Sequence, residues 1–147
     1  MKRLEMKNKT LWLLLILAGL IINSCSKKSN PVPYSSIDFT IYLNDPSYTK
    51  LNVVGNWVYV TGGINGIIIY RASGAEFTVL DRTCTYDPNN PKSYVKINTT
   101  NIIAVDSICG SQFSIINGAV NKAPATLPLK TYSYTYDPTG NSLHVYN

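Results

Sequence analysis

The chain has 147 residues, 45% of them hydrophobic and 14% charged, with 13 Lys and Arg against 8 Asp and Glu and a formal charge of +5. That length suffices for one domain with its own core and not for two. One histidine and, past the first few residues, one glutamate (Glu76) leave little material for acid–base or nucleophilic catalysis, which argues against an enzyme.

Lys2, Arg3, Lys7 and Lys9 stand against Glu5 at the start, and Leu11 to Ile22 then run without a charge. This is the plan of an export signal. The apolar run of 12 residues is too short to cross about 30 Å of hydrocarbon at roughly 1.5 Å per residue. It closes on Ile22-Asn23-Ser24-Cys25, which resembles a bacterial lipobox: an aliphatic residue, a small residue, then the Cys whose thiol receives the diacylglycerol. Residues 1–24 are therefore expected to be a lipoprotein signal peptide and Cys25 the lipidation site. The chain would be anchored in a membrane at the periplasmic face of the cell envelope, inner or outer. Removing that segment lowers the charge from +5 to +2, with nine positive groups against seven negative. Of these nine, Lys50, Arg71, Arg82, Lys92, Lys96, Lys122 and Lys130 are scattered, so no nucleic-acid surface is expected. Ser26 to Pro33 are polar and without apolar periodicity, which gives a flexible tether over 25–34 and a folded domain over 35–147.

From Tyr34 on, no long stretch has helical spacing, and short alternating or β-branched runs recur between turn residues. The domain is expected to be all-β. Ile37, Phe39, Ile41 and Leu43 alternate with polar neighbours until Asn44-Asp45-Pro46 stops the first strand. Further strands are expected at Trp57–Thr61, Gly66–Arg71, Glu76–Leu80, Tyr94–Asn98, Ile102–Val105, Phe113–Ile115, Tyr132–Tyr136 and Leu143–Tyr146. Gly62-Gly63, Ser73-Gly74, Asn117-Gly118 and Gly140-Asn141 are expected to supply positive φ at turns. Tyr132, Tyr134 and Tyr136 share one face of a strand. They are expected to pack across strands with hydroxyls at the solvent rim, the alternative being a ladder that stacks planar ligands.

The stretch from Cys109 carries the most information: Cys109-Gly110-Ser111-Gln112-Phe113, Asn117-Gly118, Ala123-Pro124-Ala125, Leu127-Pro128-Leu129 and Thr131-Tyr132. It resembles the second half of a Rieske iron–sulfur domain, with its C-P-x-H-G-S-x-F loop, Gly-rich turn, G-P-A segment and closing strand pair. Upstream, Gly66 to Arg71 and Phe77 to Cys84 resemble the strand pair that leads into the family's first C-x-H loop. The resemblance runs from about Ile37 to Tyr146 and implies a stack of small antiparallel sheets with two loops that meet.

In that family each loop gives one Cys and one His to a [2Fe–2S] centre. Here Cys84 keeps the Cys position of the first loop and Tyr86 occupies its His position. In the second loop Asp106 stands at the Cys position and Cys109 at the His position. The ligand set is degenerate, so no metal or cofactor is expected; a [2Fe–2S] centre is implied by the resemblance alone. Two thiolates, a carboxylate and a phenolate could in principle hold iron or zinc instead. If the loops meet as the resemblance implies, Cys84 and Cys109 lie together outside the cytoplasm and form a disulfide. Assigning Cys25 to the lipid leaves this even pair. The function expected is a cluster-less binding or structural module with an unidentified protein partner. The alternatives are a thiol/disulfide redox module and Rieske-type electron transfer. His144 is expected to be a strand-surface residue.

Overall fold

The computed structural model describes residues 29–147; the expected signal segment and Cys25 lie outside the described residues. The strands are β1 (Asp38–Tyr42), β2 (Trp57–Val60), β3 (Ile67–Arg71), β4 (Phe77–Asp81), β5 (Val95–Ile97), β6 (Ile103–Asp106), β7 (Gln112–Ser114), β8 (Val120–Lys122), β9 (Ser133–Asp137) and β10 (Ser142–Tyr146). One turn of 3-10 helix spans Thr49–Asn52, and no α-helix occurs among the described residues. The strands form three antiparallel sheets, in the orders β1-β10-β9, β2-β3-β4 and β5-β6-β7-β8.

The sequence of β3 explains how these sheets stack. Ile67-Ile68-Ile69-Tyr70-Arg71 buries all of its residues. Successive side chains point to opposite faces of a strand, so a strand apolar on both faces must be covered on both. Ile67 and Ile69 enter a core with Ile41, Leu43, Phe77, Val79, Leu143 and Val145, shared with the first sheet. Ile68 and Tyr70 enter a second core with Leu80, Cys84, Val95, Ala104, Phe113 and Ile115, shared with the four-stranded sheet. The β2-β3-β4 sheet is thus the middle layer. β1, with Ile41 buried and Asp38, Thr40 and Tyr42 exposed, shows the one-sided alternation of an outer sheet.

All nine expected strands are present with ends shifted by a residue or so, and β8 is added. At three residues, two of them exposed, β8 is too short to print a period on the sequence. One turn differs from expectation. Gly118, the Gly62-Gly63 pair and, in the Gly140-Asn141 turn, Asn141 (φ 45°) adopt positive φ, but neither Ser73 nor Gly74 does. The turn at Ser73 is held by its side chain, whose Oγ accepts from the N–H groups of Ala75 and Glu76.

The tyrosines of β9 face the core. Tyr132, just before the strand, is 6% exposed and its hydroxyl donates to Asp81 Oδ2 at 2.7 Å, so it is not at the solvent rim. Tyr134 accepts the Phe77 N–H at 3.0 Å, and Tyr136 lies 5.1 Å from the Phe77 ring with the Arg71 guanidinium over its face. Packing, not ligand stacking, occupies them. The segment expected to be a tether is, over residues 30–33, held on the domain: the Asn30 side chain donates to the Pro128 carbonyl at 3.0 Å, Lys130 Nζ donates to the Pro33 carbonyl at 2.9 Å, and Val32 is buried.

Candidate functional site

Two loops of the second core meet, and hydrogen bonds explain why. After β4, Thr83 pairs with Tyr94 and the Cys84 N–H donates to the Ser93 carbonyl at 3.0 Å, so the first loop closes on itself and presses Cys84 inward. Asp106 ends β6. Its N–H donates to the Ser111 carbonyl at 3.0 Å and its carbonyl accepts the Gly110 N–H at 2.9 Å, with Gly110 at φ 77°, which folds Cys109 back over Asp106. A third segment clasps both loops. The Thr85 hydroxyl donates to the Leu127 carbonyl at 2.6 Å, and the Ala125 N–H donates to Ser111 Oγ at 2.9 Å.

The outcome is a buried group of three donors, Cys84, Asp106 and Cys109, whose ligand atoms lie within 4.8 Å of one another. The sulfurs are 3.6 Å apart and both cysteines stand as free thiols. The Cys109 thiol is within reach of Asp106 Oδ2 (3.2 Å) and Ser111 Oγ (3.0 Å). Asp106 accepts the Ser93 hydroxyl at 2.6 Å on Oδ2 and the Ile108 N–H at 2.8 Å on Oδ1. Cys84 and Asp106 are fully buried and Cys109 is half-buried.

Electrostatics follow from this packing. Burial pushes the Cys84 thiol up to about 12, opposed by the Tyr86 N–H and reinforced by the neighbouring Asp106 carboxylate and Cys109. For Asp106, burial acts to raise the carboxyl, but hydrogen bonds from Ser93, the Ile108 N–H and the two cysteines outweigh it and hold it below the usual carboxylate range.

Of the four positions expected to meet, three do. Tyr86 contributes a main-chain N–H to Cys84, but its side chain is 57% exposed. His144 lies on β10 as a strand-surface residue, paired with Asp38 at 2.7 Å. Ser93 and Ser111 complete the group. Ser111 belongs to the Cys109-Gly110-Ser111 motif and reaches Cys109 locally, whereas Ser93 carries no pattern in the sequence and only the fold points it toward Asp106. A Rieske centre uses two thiolates and two imidazoles. The donors gathered here include no imidazole, and the two cysteines, at positions that would serve different irons, are in contact. The donor set does not match that of a [2Fe–2S] centre.

No protein-family model and no curated protein matches the sequence. Solved structures do resemble the fold. The plasma membrane Rieske protein PetC3 of the cyanobacterium Synechocystis PCC 6803 superposes with a TM-score of 0.51 at 21% identity, over 62% of this chain and 86% of that one. The ferredoxin of carbazole 1,9a-dioxygenase from Nocardioides aromaticivorans IC177 gives 0.47 at 12% identity, over 77% and 98% of the two chains. A putative NADH-dependent nitrite reductase small subunit from Mycobacterium tuberculosis gives 0.43 at 16%, over 76% and 96%. The domain is all-β, a stack of small antiparallel sheets from which two loops converge. That architecture is the Rieske fold.

Proposed function

We propose that the chain is an exported, lipid-anchored Rieske-fold module of the cell envelope that carries no [2Fe–2S] centre. It serves as a binding or structural module for a protein partner, and a Cys84–Cys109 disulfide ties together the loops that a cluster would otherwise join. The observation that carries this reading is the buried Cys84–Asp106–Cys109 group, in which two sulfurs touch and no imidazole is within reach. A transition to the disulfide requires the sulfurs to close from 3.6 Å to about 2.05 Å, a small movement for two loop residues. The anchor reading rests on the Ile22-Asn23-Ser24-Cys25 sequence.

The test is a thiol count on natively isolated protein with iron and acid-labile sulfide analysis. No free thiol before reduction and two after, without iron, is the expected result. Iron with sulfide in equal amount would make the chain an electron-transfer domain instead, and two free thiols in a metal-free protein would remove the disulfide. Detergent-phase partitioning should be lost in Cys25→Ser. The partial exposure of Cys109 favours one further reading, a reversible dithiol met by a partner; a reduction potential well above about −300 mV would select it over a structural bond.

A further inference from the structure

The loops that meet at Cys84 and Cys109 hold more than a pair of thiols. Asp106 is a fully buried carboxylate with hydrogen-bond donors around it but no cationic partner; the ion pair formed among the described residues is His144 with Asp38 on the opposite sheet. Buried charges are ordinarily paired or bound to a metal. Each donor of the group is also oriented from behind. The Ser111 N–H reaches Cys109 Sγ at 3.4 Å, the Tyr86 N–H reaches Cys84, and Ile108 and Ser93 hold the two carboxylate oxygens. Such outer contacts are what fixes ligands in a metal site.

We propose that in the dithiol form Cys84, Cys109 and Asp106 bind a single thiophilic divalent cation, Zn²⁺ by its chemistry, with a fourth position open to solvent beside Cys109. The inference rests on the preceding reading only in that a [2Fe–2S] cluster does not consume the two thiols. Tetrahedral Zn²⁺ with bonds of about 2.3 Å to sulfur and about 2.0 Å to oxygen sets S···S and S···O edges of roughly 3.8 and 3.5 Å. The structure has 3.6 Å between the sulfurs and 3.2 Å from Cys109 Sγ to Asp106 Oδ2, so these two edges need to open by only a few tenths of an ångström. Two sulfurs and one oxygen exclude Mg²⁺ and Ca²⁺, which take oxygen ligands.

The charge balance favours the exchange. Two thiols lose their protons to solvent, the ion bonds to two thiolates and one carboxylate, and no electron moves. The group carries one negative charge before binding and one after, so the metal adds no net charge to the core. Formation of the disulfide removes both thiolate ligands, so oxidation and metal binding exclude each other at this site.

The test uses the full mature chain, reduced and metal-free, titrated with Co²⁺ as a spectroscopic probe. One equivalent should bind with a thiolate-to-cobalt charge-transfer band, release two protons and be displaced by Zn²⁺. Cys84→Ser and Cys109→Ser should abolish the band, and Asp106→Asn should weaken Co²⁺ binding at least about tenfold. Disulfide-bonded wild type provides a control whose fold does not depend on a substitution, and it should take no Co²⁺ at this site. Absence of the band in reduced wild type would overturn the proposal, as would its survival in Cys109→Ser or in the oxidised protein. Iron and labile sulfide in the native protein would instead overturn the cluster-less reading, so the two failures are distinct.

Discussion

Reduction of the proposed Cys84–Cys109 disulfide gives the most quantitative access to the site. The two residues are 25 apart in sequence, and closing a loop of that length stabilises the folded state by about 3.5 kcal/mol in the chain-entropy account. The reduced form recovers part of this, because the Cys109 thiol contacts Asp106 Oδ2 and Ser111 Oγ; such contacts return on the order of 1 kcal/mol. The net loss is about 2.5 kcal/mol. With an unfolding entropy of about 2.1 cal/mol/K per residue, a domain of roughly 120 residues should melt about 10 °C lower when reduced.

The assay is thermal unfolding followed by circular dichroism, with and without a phosphine reductant and with thiol titration to confirm complete reduction. A double Cys84→Ser, Cys109→Ser variant should be insensitive to the reductant. Alkali adds a second signature. The folded chain holds the Cys84 proton up to about 12 against an ordinary value of 9.0, so the stability tied to that thiol is complete below pH 9 and is lost as pH rises from 9 toward 12. The disulfide form has no such proton to lose. Between pH 9 and 10 the gap between reduced and oxidised protein should therefore widen by about 1 kcal/mol. An unchanged melting temperature after full reduction would refute the reasoning.

Three further outcomes follow from individual contacts. Ser93→Ala removes the hydroxyl held at 2.6 Å by the buried Asp106 carboxylate and should cost about 1–3 kcal/mol near neutral pH. Because the carboxyl of Asp106 is held below its ordinary range, its stabilisation is present above that range and lost as pH falls through the folded value, so the same variant should also unfold at higher pH in an acid titration. Tyr132→Phe leaves Asp81 Oδ2 with the Ile64 N–H alone and should cost about 1–2 kcal/mol, read as a lower urea midpoint at unchanged slope. Gly63 has φ 64°, and a Cβ there would overlap the Asp81 carboxylate; Gly63→Ala should destabilise by more than about 2 kcal/mol in the same assay.

How far the fold was legible differs from strand to strand. β1 and β10 alternate apolar and polar residues because one face of their sheet meets water, and that period prints directly on the sequence. β3 lacks alternation for the converse reason: layers cover both of its faces, so its unbroken Ile-Ile-Ile run says buried without saying against what. β8 left no mark because it pairs through three residues at a sheet edge. The Tyr132 hydroxyl was expected at the rim, yet it is buried, because its partner Asp81 sits on another sheet, 51 residues away.

For the site, the resemblance carried by the residues from Cys84 to Tyr132 implied that the two loops would meet, and the residues themselves showed that no histidine lies among them. The absence of an imidazole is a property of residue identity, present in the chain before it folds. The contacts that give the group its chemistry were decided by tertiary structure: sulfurs at 3.6 Å, a carboxylate without a counter-ion, and Ser93 and Ser111 as hydrogen-bond partners. The sulfur pair and the Ser93–Asp106 bond join residues 25 and 13 apart through two loops that a third segment clasps. Distances and burial of that kind depend on how the second core packs beneath the loops, and no local pattern encodes them.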